Sequence, residues 1–111
     1  MSDNPPTRAN EDVMPAFAIG LYNIWDLSWR PKYREMVDRL VAKHGGRYVA
    51  RTSSPWEVLE GTASDTTNIT MIEFPSMEHA RARYTDPEYV PMKRLRQAGS
   101  RLNFLLVEGS N

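Results

Sequence analysis

Phe17-Ala18-Ile19-Gly20-Leu21-Tyr22-Asn23-Ile24-Trp25, read together with Leu102-Asn103-Phe104-Leu105-Leu106-Val107-Glu108, decides the fold. Both stretches are dominated by aromatic and aliphatic residues and are too short for a typical helix, so both predict strands. Successive side chains on a strand point to opposite faces, and a sheet with one solvated face shows a polar phase. Neither stretch has one. Phe17, Ile19 and Leu21 oppose Ala18, Tyr22 and Ile24, and Leu105 and Val107 oppose Phe104 and Leu106. A sheet built from these strands needs cover on both sides.

The segments between them supply one cover. Pro31 suits a first helical turn, and Tyr33, Met36, Val37, Leu40 and Val41 follow at helical spacing until Gly45 and Gly46 stop the helix. Residues 47–52 read as extended, Ser53-Ser54-Pro55 kinks the chain, and residues 56–60 continue to Gly61, which predicts one long, bent second strand. A polar turn over 62–67 leads to a third strand, Asn68–Phe74, in a hairpin with the second. Ser76 is placed to cap a helix whose Met77, Ala80 and Tyr84 share a face, and Pro87 separates it from a helix over 88–100 carrying Tyr89, Met92 and Leu95. The order βαββααβ predicts an α+β, ferredoxin-like domain over 15–110, with a four-stranded antiparallel sheet and helices on one face. Nothing in the chain remains to cover the other face. The same face of a second copy is the simplest cover, so the sequence predicts a homodimer paired face to face as a dimeric α/β barrel.

Residues 1–14, polar and proline-containing, predict a flexible N-terminal arm, readable as an extension without a role or as a lid. The 111 residues suit one core, and 14 basic against 14 acidic residues give no footprint for nucleic acid or an anionic membrane. With no cysteine there is no disulfide, thiolate zinc site or cysteine nucleophile. No apolar run approaches a bilayer span and no secretory h-region opens the chain, which predicts a cytoplasmic protein. Two separated histidines and the lack of a glycine-rich phosphate loop give no reason to expect a metal or cofactor.

The strings His44-Gly45-Gly46-Arg47-Tyr48, Val58-Leu59-Glu60-Gly61, Glu73-Phe74-Pro75-Ser76-Met77-Glu78 and Pro87-Glu88-Tyr89, with Arg96 and the closing Val107-Glu108-Gly109, resemble the family known as domain of unknown function thirteen-thirty. The resemblance covers about residues 14–110 and implies a ferredoxin-like homodimer. The wider barrel group to which that family belongs includes cofactor-independent monooxygenases, muconolactone-type isomerases and polyketide cyclases. Thr52-Ser53-Ser54, Asp86 and Arg83 depart from the family pattern, and Trp25, Trp29 and Trp56 look like additions, implying a larger aromatic-lined pocket.

Three carboxylates extend apolar strand phases: Glu60 with Trp56 and Val58, Glu73 with Ile69 and Met71, Glu108 with Phe104 and Leu106. A carboxylate buried without a partner tends to hold a proton, which makes it a candidate acid or base. On the last helix Arg96 falls between Tyr89 and Met92 on the apolar side, so it faces inward. Topology places Trp25, Asp26, Trp29, Trp56, Glu60 and Arg96 at one end of the sheet, and His44, Glu73 and Glu108 at the other. The expected pocket is the first end, with Asp26 and Glu60 as acid or base, Arg96 as the fixed cation, and Trp25, Trp29, Tyr33, Trp56 and Tyr89 as substrate-binding walls. Each has a plainer alternative: a turn for Asp26, a structural ion pair for Glu60 with Arg96, core or dimer interface for the tryptophans, and a helix-end contact for His44. The expected function is a cofactor-independent acid–base enzyme, of cyclase, isomerase or lyase type, on an aromatic or polyketide-like small molecule. The alternative is a non-catalytic homodimer that binds a small molecule.

Overall fold

The computed structural model describes residues 13–51 and 54–110. Its elements are β1 (Ala16–Ile24), α1 (Arg30–Lys43), β2 (Arg47–Ala50), β3 (Asn68–Phe74), α2 (Met77–Thr85), α3 (Tyr89–Gln97) and β4 (Ser100–Glu108). The sheet runs β2-β3-β1-β4 with every neighbour antiparallel, the ferredoxin-like arrangement. Apart from residues 13 and 14, the expected N-terminal arm lies outside the described residues.

Register sorts the two phases of β1 onto the two faces. Ala18 stands between Ile72 and Leu106, and Gly20 between Thr70 and Phe104, all on the helix-covered side. Ile19 stands between Met71 and Leu105, and Phe17 between Glu73 and Val107, on the opposite side. Ala16, Ala18, Tyr22, Ile72 and Phe74 join Tyr33, Val37, Leu40 and Val41 of α1 and Tyr89 and Met92 of α3 in the core. No described helix lies over the second face, where Leu105 is 54% and Val107 48% exposed.

Helix ends follow their local chemistry. Pro31 sits in the first turn of α1, where its missing N–H costs nothing. Gly45 has φ 79° beyond the last turn, and the Gly45 and Gly46 amides donate to Ala42 and Val41 carbonyls, which closes the helix. Ser76 accepts from the His79 amide and caps α2. No described helix is long and apolar enough to cross a membrane.

The long second strand is not formed. β2 ends at Ala50, just after an irregularity in its pairing with β3, and residues 54–67 are turns and irregular chain. Pro55 has no N–H for a ladder, and the pairing of the described β2 residues with β3 ends at Ala50 opposite Met71. With no strand opposite, alternation cannot assign Trp56 and Val58 to a sheet face. Both are exposed, as are Leu59 and Glu60. The last helix is also shorter than expected: Ser100 already belongs to β4.

Candidate functional site

A cavity of about 360 Å³ opens between α2 and the β1–β4 side of the sheet. Ala18 and Ala80 leave the space, because small side chains stand where strand and helix face one another. Phe104 and Leu106 form an apolar wall, with Arg83 and Tyr84 of α2 also lining it.

Arg83 sets the character of this site. It is 2% exposed, and its guanidinium carbon lies 4.6 Å from the Tyr89 ring centroid, 5.5 Å from Phe104 and 5.7 Å from Phe74. Its Nε has no hydrogen-bond partner, and no carboxylate among the described residues pairs with it. Cation–π contacts return about 2 kcal/mol when desolvated, whereas burying a lone cation costs several. The arrangement is therefore costly in a free protomer and complementary to an anion.

Behind Arg83 lies a layer of buried phenols. The Tyr33 and Tyr89 hydroxyls are 3.0 Å apart, and Arg96, 4% exposed, lies in the same layer, its charge acting on both phenols. Burial pushes the Tyr22 and Tyr33 phenols up. For Tyr89 burial acts the same way, but the Arg83 and Arg96 charges outweigh it and hold the phenol below its ordinary value. Trp29 packs edge-on to Tyr33 at 5.1 Å, and its Nε1 also lacks a partner.

Local structure fixes this layer. The Trp25 and Asp26 amides donate to the Gly99 carbonyl, tying the end of β1 to the α3–β4 junction. A Cβ on Gly99 would lie 2.6 Å from the Asp26 carbonyl oxygen and 2.7 Å from Trp29 Cδ1, so only glycine permits this approach.

Arg96, Trp29, Tyr33 and Tyr89 are thus brought together, buried, on the covered side of the sheet. The other expected site residues are not. Trp25 is 61% exposed. Asp26 is exposed, its Oδ1 accepts from the Ser28 amide at 2.9 Å, and hydrogen bonds from Ser28 hold its carboxyl below the ordinary range. That is the turn alternative. Glu60 and Trp56 lie exposed on the 54–67 loop, and no Glu60–Arg96 pair forms. At the other end Glu73 pairs with Arg47 at 2.7 Å and Glu108 is exposed. His44 Nε2 lies 2.8 Å from the buried Asp86, which also accepts from Lys43 and the Glu88 amide. These partners, His44 first, hold the Asp86 carboxyl well below the usual range. They latch the end of α1 to the α2–α3 link. No described group of acidic or histidine side chains is arranged to hold a metal.

The sequence reading noted Arg83 only as a departure from the family pattern and did not place it in the site. The signal was available: it follows Ala80 by three residues, on the inner side of α2, just as Arg96 follows Met92 by four on α3.

A four-stranded antiparallel sheet with helices on one face defines a protein of the ferredoxin-like α+β class. The chain belongs to the family described as domain of unknown function (DUF1330), whose model matches residues 15–110. Among solved structures it is similar to RPA0582, a protein of unknown function from Rhodopseudomonas palustris (16% identity, TM-score 0.69, 99% of this chain and 96% of that one). It is also similar to SnoaB, a cofactor-independent oxygenase from Streptomyces nogalater (11% identity, TM-score 0.63, 88% and 95%). A hypothetical Arabidopsis thaliana protein gives 15% identity and TM-score 0.58 over 88% and 90%. These likenesses are of fold. No functionally curated protein matches the chain significantly.

Proposed function

We propose that the protein is a homodimeric, cofactor-independent enzyme that binds an aromatic or polyketide-like anion in the cavity beside α2 and promotes proton-transfer chemistry on it. The observation that carries this reading is Arg83, a buried cation that no described carboxylate pairs with, at the wall of an apolar cavity. Phe104 and Leu106 suit a flat, hydrophobic body, while the guanidinium suits a carboxylate, enolate or phenolate end. A fixed cation that strengthens its hold as an enolate forms lowers the barrier to deprotonation, and the resulting carbanion can isomerise, cyclise or eliminate. Tyr84 is the phenol at the cavity wall able to exchange the proton. Asp26 and Glu60 have no part in this scheme. The fold shared with SnoaB supports cofactor-free chemistry by analogy. The apolar second face of the sheet is the surface on which we place the other protomer.

The described cavity walls carry no acidic or histidine side chain, which favours a second reading in which the same pocket binds without turnover. A panel of enolisable aromatic carboxylates, screened for binding and followed by mass, separates the two. Conversion of a ligand marks the enzyme; unchanged mass marks the binder. Arg83→Met should abolish binding of anionic members of the panel, and undiminished binding by that variant would place the ligand elsewhere.

A further inference from the structure

The sheet has two edges, and they differ in how they are guarded. β2 is four residues long, carries Arg47 at its start with Arg51 just past its end, and is irregular between Tyr48 and Ala50. Shortness, charge and irregularity are devices that keep an edge from recruiting another strand. β4 has none of them. It runs nine residues in unbroken register with β1, and its apolar Leu102, Phe104, Leu105, Leu106 and Val107 leave charge only at Arg101 and Glu108 near its ends. Among the described strands, none pairs with its outer side. The chain also holds a strand pattern without a sheet. Trp56, Val58 and Glu60 alternate with Glu57 and Leu59, yet no described strand lies opposite them. Leu59 is 89%, Val58 46% and Trp56 38% exposed, an apolar cluster left in water. Within one protomer β3 and β1 stand between this segment's anchor, β2, and the free edge of β4. Between copies the two can meet. A two-fold axis running along the strands, between sheets about 10 Å apart, lays each β2 over the partner's β4.

We infer that residues 56–60 add to the outer edge of β4 of a second copy of this chain, as a fifth strand exchanged reciprocally across the two-fold axis. The inference rests on the homodimer proposed above and is independent of the Arg83 chemistry. Once docked, the alternation regains its meaning: Trp56 and Val58 lie to one side of the partner's sheet and Leu59 to the other, so each side receives an apolar residue. One of those sides holds the cavity. Leu105 belongs to the open face, so a cavity lined by Leu105 as well as Phe104 and Leu106 reaches the edge of β4. The exchanged strand closes the cavity along that edge, and each site is complete only in the dimer.

The test is hydrogen exchange of the β4 amides by NMR, read beside sedimentation. On a free edge every second amide points outward and exchanges readily, whereas in the wild-type dimer all amides of residues 101–107 should be protected. The double variant Val58→Pro/Leu59→Pro removes two consecutive amides, and so one ladder donor in either phase. It should leave the protomer folded while alternate β4 amides exchange about a hundredfold faster. A wild-type dimer whose alternate β4 amides already exchange freely overturns the strand exchange and leaves the dimer standing. A wild-type monomer overturns both. Protection that survives in the double variant shows that another segment, such as a second β4, holds the edge, and overturns the inference equally. Residues 56–60 are exposed in the protomer, so its fold does not depend on them. Should the proline variant nevertheless not fold, Val58→Asp/Leu59→Asp must release the same amides, and unmoved exchange overturns the assignment.

Discussion

The two faces of the sheet are built from the same strands in alternate phase, yet they carry opposite problems. The covered face, under three helices, holds the buried polar chemistry: two guanidiniums, three phenols and an indole N–H, several of them without partners. The open face is apolar, with Ile19, Met71 and Leu105 in one row across three strands. The proposed site therefore lies between helix and sheet of one protomer. The association and the chemistry we propose fall mainly on different faces.

The sharpest way to break this division is to charge the open face. Leu105→Glu should convert a dimer to monomers in sedimentation while the circular dichroism spectrum stays folded. A wild-type chain that already sediments as a monomer at micromolar concentration would remove the open face's assigned role.

On the covered side, Gly99→Ala forces a Cβ against the Asp26 carbonyl and the Trp29 ring. It should cost about 1–3 kcal/mol in denaturant unfolding. An unchanged midpoint would show that the β1 end is not stapled there.

Away from both faces, Asp86 has a depressed carboxyl, so its contribution to stability is present above the unfolded value, about 3.9, and is lost as pH falls through the folded value. Asp86→Asn should therefore lower the melting temperature at neutral pH and make little difference in strong acid. A constant offset at every pH would contradict the latch.

The smallest effects belong to the exposed acids. Glu60→Gln and Asp26→Asn should leave stability and ligand binding within about 0.5 kcal/mol of wild type. A large loss in either would return the site to the strand ends.

The fold was legible because it rests on periodicity. The two phases of β1 and β4, the stripe on α1 and the Ser76 cap each follow from spacing along the chain. The second strand misled because residues 56–60 alternate correctly but have no partner: alternation reports a face only where a neighbouring strand exists, and Pro55 stands at the break. The same error carried Glu60 and Trp56 into the expected site. Arg96, Trp29, Tyr33 and Tyr89 were found together because helical spacing and antiparallel topology fix their place. Arg83 stayed outside the expected site because an arginine two positions after the exposed Arg81 reads as solvated unless its spacing from Ala80 is counted.

The central claim is that Arg83 is buried for an incoming anion and not for the fold. The melting temperature of Arg83→Met tests it directly. Methionine fills a similar volume without charge, and the change strands no described carboxylate, since none pairs with Arg83. The account predicts a ligand-free variant more stable than wild type, by about 1–4 kcal/mol. A loss of similar size would show that the guanidinium is a structural partner, and the anion site would go with it.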